Sequence, residues 1–324
     1  MSKINSRKLR SFLSDYGIIA VLLLLILIFS LLSDRFLMLN NIMNILRQVS
    51  IVGIISVGMT FVMITGGIDL SCGSVVGASA VGASLLMTKV EMHPVPACLI
   101  MMVFGMVLGL LNAFFITQFK VPPFIATLGM MTSVRGIAYI ITGGLPVYGF
   151  NRAFTVLGQG YFFEVIPIPV VVMFVVFAFG IVFLGKTRIG RHIYDVGGNE
   201  EAARLSGVNV RKIKFIVYGL AGFMSALAGV VLLARVNSGQ PNAGESYEMD
   251  VITSVVLGGV SMSGGQGRLA LVIVGTLIMG ILTNGMTMLT INEYVQRLIK
   301  GLVLIFAVAL DKAIKESRAK QSIN

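Results

Sequence analysis

The sequence predicts an all-α polytopic membrane protein of about ten transmembrane helices, and three observations carry that reading. Hydrophobic residues make up 56% of the chain and charged residues only 12%, whereas about a quarter of a soluble globular domain is charged. Uncharged intervals close to the roughly 20 residues that cross a bilayer recur along its whole length. The Lys and Arg residues, 25 against 14 Asp and Glu, concentrate at the N-terminus, in one central loop and in the C-terminal tail. That distribution belongs to topology signals and anionic-lipid contacts rather than to a nucleic-acid-binding face.

Taken in order, residues 1–15, which open MSKINSRKLR, form a basic cytoplasmic segment. The uncharged stretch 16–33 lacks a small-x-small cleavage site and is long for a signal peptide, so it reads as a retained first helix. Charge-free intervals follow at 48–68, 70–88, 94–119, 165–185, 215–234, 251–267 and 269–292. Two further spans contain charge: 121–143 holds Arg135, and 294–310 holds Arg297 and Lys300. With the N-terminus inside, six crossings bring the chain to a polar loop at 186–214, and four more leave the basic tail 315–324 inside too. The transmembrane domain then covers 16–314. Loop 236–250 carries acids and no Lys or Arg, and falls outside, as the positive-inside rule permits. The longest polar segment is about thirty residues, too short for a soluble catalytic domain, which needs ~50 or more.

The loop KTRIGRHIYDVGGNEEAARLSGVNVRKIK at 186–214 carries seven Lys/Arg against three acids, which holds it on the cytoplasmic side. Within it Asn199 is a good N-cap, and Glu200 and Glu201 occupy the first turn, where the helix dipole favours anions. Arg204 follows Glu200 by four residues and Gly207 can close the C-terminus. A short helix of about two turns results, containing Ala202, Ala203, Leu205 and Ser206. Charge bias by itself requires only that this loop orient the protein.

GRHIYDVGGNEEAARLSGVNVRKIK, together with VGMTFVMITGGIDLSCGS at 57–74, resembles the monosaccharide (ribose-type) permease subunits of ABC importers, relatives of the branched-chain amino acid permeases. The resemblance covers nearly the whole chain. It implies the ABC importer permease fold, in the bacterial inner membrane, moving a monosaccharide by alternating access. It makes 199–207 a coupling helix that inserts into a groove of a separate ATPase subunit. It also implies a second permease chain, copy or paralogue, and an extracytoplasmic solute-binding protein. The chain is then no enzyme: ATP and Mg belong to the ATPase, and no cofactor or metal is expected here. Two alternatives remain at this stage. The same machinery could import a branched-chain amino acid or a nucleoside, whose permeases the glycine break at 257–267 also resembles. An ion-driven secondary transporter would need more ionisable groups than the two clearly intramembrane ones, Asp69 and Arg135.

Other motifs sort by context. Residues 180–187, GIVFLGKT, match the phosphate-loop pattern, but the stretch finishes an apolar span and follows no strand, so nucleotide binding is rejected. Gly73 with Gly77, and Gly105 with Gly109, have the spacing that lets helices approach in lipid. Gly66 and Gly67 weaken a helix, and Asp69 is costly at membrane depth unless it caps or pairs, so the chain is expected to break there, with Asp69 capping the helix that begins near Leu70. Ser71 belongs to that break, which reads either as a buried cap shaping the scaffold or as a re-entrant element near the translocation path. Gly258 and Gly259 open a second break in the other half, read either as a translocation element or as a plain cytoplasmic turn. Arg135 is the natural partner for Asp69. The chain has no Trp and few Tyr in its spans, which argues against a high-affinity sugar site in the membrane.

Overall fold

The computed structural model describes the backbone of residues 2–150 and 152–323, with side chains for 17–150, 153–309 and Lys312. Helix covers 76% of the chain, so the all-α class holds, apart from one two-residue ribbon. The basic side chains of 1–15 and 315–324, expected to mark the cytoplasmic face, lie outside the described residues.

Helix α1 (Ser2–Leu32) leads to α2 (Leu39–Ile64), α3 (Cys72–Thr88), α4 (Pro94–Gln118) and α5 (Pro123–Thr142). A connection not foreseen from sequence then holds a short helix, α6 (Arg152–Gln159), and an antiparallel ribbon, β1 (Tyr161–Phe162) with β2 (Ile166–Pro167). Helix α7 (Ile168–Lys186) carries the chain to two short helices, α8 (Arg188–Gly198) and α9 (Glu200–Leu205). Helices α10 (Val210–Val236), α11 (Tyr247–Leu257), α12 (Leu269–Met288) and α13 (Glu293–Ile323) complete the bundle. Residues 180–186 are the last turns of α7, which leaves no phosphate-binding loop there.

Among the described residues, α2, α4, α5, α7, α10 and α12 are long and apolar enough to cross a membrane. Shorter apolar helices occur at Gly17–Leu32 and Cys72–Thr88. One expected span is corrected. The interval 251–267 is not a single helix, because α11 has 11 residues, about 16 Å at 1.5 Å per residue, and a bilayer core is about 30 Å thick. Gly259, at φ +78°, ends it, and a loop runs from there to Arg268. Helix α11 also starts earlier than its charge-free interval, taking in Glu248 and Asp250.

The centre of the bundle is α2, buried without interruption from Val49 to Ile64, and α10, which packs on α2, α3 and α4. Burial against other helices gains little over burial in lipid tails, so close approach must supply the packing energy. The sequence provides it with small residues: a Cβ on Gly109 would strike the Tyr218 carbonyl, and one on Gly222 the Gly105 carbonyl. Gly73 and Gly77 likewise admit the backbone of 241–244 against α3. On α2 the Ser56 hydroxyl bonds back to the Val52 carbonyl at 2.8 Å and that of Thr60 to the Ser56 carbonyl at 2.7 Å, so these donors are satisfied within their own helix.

Candidate functional site

At one end of the bundle, three stretches singled out in the sequence meet. Helix α2 stops at Ile64, Thr65 closes it, and Gly66 turns the chain at φ +78°. The Gly265 amide, from the loop after α11, donates to the Ile64 carbonyl at 2.8 Å. Gly197 of α8 packs against that same carbonyl so closely that no Cβ fits. Tyr194, also on α8, donates its hydroxyl to the Gly267 carbonyl at 2.9 Å. Burial raises its ionisation above the ordinary phenol range, with Arg268 pulling slightly the other way, so it stays a donor. The first glycine break, the second one at Gly258 and Gly259, and the 186–214 loop therefore share one contact region.

Helix α9 projects from that body. Asn199 accepts the Ala202 amide at 2.9 Å, and Gly207 adopts φ +85° just beyond the last turn. Glu201, not Glu200, pairs with Arg204, at 2.6 Å, while Glu200 bonds Lys214 of α10 at 2.8 Å. The helix is only six residues long. Its two faces differ: Ala203 is buried against its own chain, whereas Leu205 is 79% exposed. Asp195, Asn199, Ala202, Ala203, Ser206 and Val208 line a groove of about 310 Å³ beside it.

Asp69 lies in the segment between α2 and α3 and is 1% exposed. Its Oδ1 accepts the Ser71 amide at 2.9 Å and the Ser71 hydroxyl at 2.5 Å, and Ser71 Oγ in turn accepts from Asn112 Nδ2 of α4 at 3.0 Å. Helix α3 begins at Cys72 with Ser71 as N-cap, so Asp69 fixes the capping residue rather than the first helical turn. Asn112 is a partner that sequence reasoning missed; a polar residue in the apolar interval 94–119 was its only signal. Replacing Asp69 by Leu strands the Ser71 donors in a dry site, which costs about 1–3 kcal/mol, while Asn retains an acceptor oxygen. Thermal unfolding of the two purified variants checks this: a Leu variant as stable as the Asn variant would contradict it.

Arg135 does not meet Asp69. Its Nη1 donates to the carbonyls of Pro241 and Ala243 at 2.6 and 2.7 Å, and Glu248 and Glu245 stand within electrostatic reach. In place of the expected pair, the irregular backbone at 241–243 supplies carbonyl acceptors that satisfy the guanidinium where no carboxylate pairs with it among the described residues. On α11, Asp250 Oδ2 pairs with Lys300 Nζ of α13 at 2.8 Å, and Glu245 lies 3.6 Å from Arg297. The segment 241–250, expected in an outer loop, is thus held between α5 and α13. Its signal was present: bases inside the span 294–310 call for acids in another.

Comparison with known proteins now places this architecture. Residues 41–308 match the family model described as branched-chain amino acid transport system / permease component. The chain is 46% identical to the ribose import permease protein RbsC of Bacillus subtilis over 294 residues, covering 90% of each chain. The chain belongs to the ribose-type permease family of ABC importers. RbsC of Escherichia coli K12 is 41% identical, over 93% of this chain and 95% of its own. The galactose/methyl galactoside import permease MglC of the same strain is 38% identical, over 99% of this chain and all of its own. No solved structure matches. As a permease subunit the chain is a multi-pass inner-membrane protein and no enzyme; ATP hydrolysis lies on a separate chain.

Proposed function

We propose that this permease carries ribose, and the observation that supports it most is the 46% identity to a ribose permease along 90% of both chains. The galactoside permease, at 38%, ranks below it. In this reading ten crossings put both termini in the cytoplasm: the six long spans, the apolar part of α1, α3, α13, and the irregular crossing formed by 237–246 with α11. The chain itself needs no cofactor, and ATP and Mg sit on the ATPase. The α8–α9 end faces the cytoplasm, and 199–207 docks in the ATPase. Movement there reaches the membrane interior through Gly197, which touches the end of α2, and through the loop that ends α11.

A second permease chain closes the pathway. Helix α5 supports this, since it is the least apolar of the six long spans, at mean hydropathy 1.5, and also the most exposed. A lipid-facing helix has the opposite character, as α7 does at 2.8. Exposed Gly129, Thr132 and Ser133 on α5 suit a wet passage or a neighbouring helix. Sugar selection falls to the extracytoplasmic binding protein, which accords with the scarcity of aromatics in the spans.

Vesicles containing this chain, its ATPase and its binding protein should accumulate labelled ribose in a vanadate-sensitive manner, indifferent to ionophores. Uptake that survives vanadate and collapses with the ion gradient would overturn the importer mechanism. Vanadate-sensitive uptake of galactose in place of ribose would overturn only the substrate.

A further inference from the structure

At the end of the bundle opposite α8 and α9, two arginines stand together without an acid. Arg47 lies two turns into α2, and Arg235 occupies the last turn of α10. Gln159, the last residue of α6, joins them: its carbonyl accepts from Arg47 Nη2 at 3.2 Å, and its amide donates to the Arg235 carbonyl at 3.1 Å. The Arg47 guanidinium sits 4.7 Å over the Tyr161 ring, yet its Nε is buried and meets no acceptor. Arg235 feels the charge of Arg47, with Tyr247 as the other ionisable side chain beside it. Among the described residues neither arginine forms an ion pair. Like charges gathered on a low-dielectric surface repel, and an anion between them relieves the repulsion.

We propose that Arg47 and Arg235 hold the phosphate of an anionic phospholipid in the outer leaflet. The leaflet rests on the topology given above; the two-arginine site does not. Guanidinium forks match phosphate oxygens in geometry as well as charge. Depth agrees: α2, at 26 residues, is about 39 Å long and exceeds the ~30 Å hydrocarbon core, which puts Arg47, about 12 Å from its start, near the boundary. The surroundings favour lipid over an acidic side chain of a soluble partner. Below the site, α7 exposes Phe174, Val175, Phe179 and Val182; above it, the ribbon exposes Tyr161, Phe162 and Phe163, an interfacial aromatic belt.

The test uses purified full-length permease in nanodiscs of phosphatidylcholine, with and without phosphatidylglycerol. Native mass spectrometry after controlled delipidation reads the lipid retained. Wild type should keep phosphatidylglycerol in preference to phosphatidylcholine and gain thermal stability from it. R47Q with R235Q should lower that affinity roughly thirtyfold, the product of two basic side chains at a membrane surface, while R47K retains most of it. Should the double variant fail to fold, the wild-type preference alone decides. Equal retention of the two lipids by wild type, or unchanged retention by a folded double variant, overturns the proposal. So does a double variant that loses docking of the solute-binding protein but keeps its lipid, because the occupant is then an acidic side chain. None of these readouts involves transport or the ATPase, so failure here is separable from failure of the importer reading.

Discussion

Leu205→Asp should abolish retention of the ATPase on the permease while leaving the permease folded. Leu205 is the large apolar residue that α9 presents outward, 79% exposed, at the tip of the loop. An exposed apolar side chain there adds little to this chain's own stability, and under the proposed coupling role it is the contact that docking would bury. A buried anchor of this kind carries about 2 kcal/mol or more, and its loss weakens association at least roughly thirtyfold. Arg204→Ala should do far less, since its exposed pair with Glu201 is worth at most about 1 kcal/mol. Ala203 is a poor probe of docking: it is buried against its own chain, and Trp there would displace α9 itself. Pull-down of the ATPase by detergent-extracted permease, run beside ribose uptake, decides the matter. Wild-type retention and uptake in Leu205→Asp would reduce the loop to an orienting signal.

What the sequence made legible was local. Asn199 and Gly207 bracket α9 because an N-cap and a left-handed closing residue act within a few positions, and the six long spans follow from apolar runs that need no partner to be recognised. What it concealed was long-range. Glu248 and Asp250 looked like outer-loop acids because the bases near them come from helices more than forty residues away: Lys300, which pairs with Asp250, and Arg135, which stands within electrostatic reach of Glu248. Arg135 was paired with Asp69 because a carboxylate is visible in a sequence and a free backbone carbonyl is not. Arg47 broke the expected start of the second span, yet α2 runs through it, since Gln159 and Tyr161 from the unforeseen α6 and ribbon receive its charge. The junction at Gly197, Ile64 and Gly265 escaped for the same reason: close backbone approach leaves only glycines behind, and this chain has 37.

Lys300→Ala should destabilise the permease by about 3–5 kcal/mol, because it leaves the Asp250 carboxylate buried without its partner. The two side chains meet at 2.8 Å with 20% and 13% exposure, on α13 and α11. Helix α11 depends on such a contact more than a full span does, since its 11 residues cannot bridge the bilayer and a run of turns precedes it. Exchanging the charges, with Asp250→Lys and Lys300→Asp together, should recover much of the loss from either single reversal. Replacing both by Leu removes two buried charges at once and should be close to neutral for stability. Thermal unfolding in nanodiscs gives the double-mutant cycle, and a coupling energy within the ~0.5 kcal/mol scatter of independent sites would refute the pair. Uptake then separates support from movement. If the pair only braces α11, the double-Leu variant transports like wild type; if α11 slides past α13 during alternating access, a well-folded double-Leu variant loses uptake because the charge contact no longer distinguishes the two arrangements.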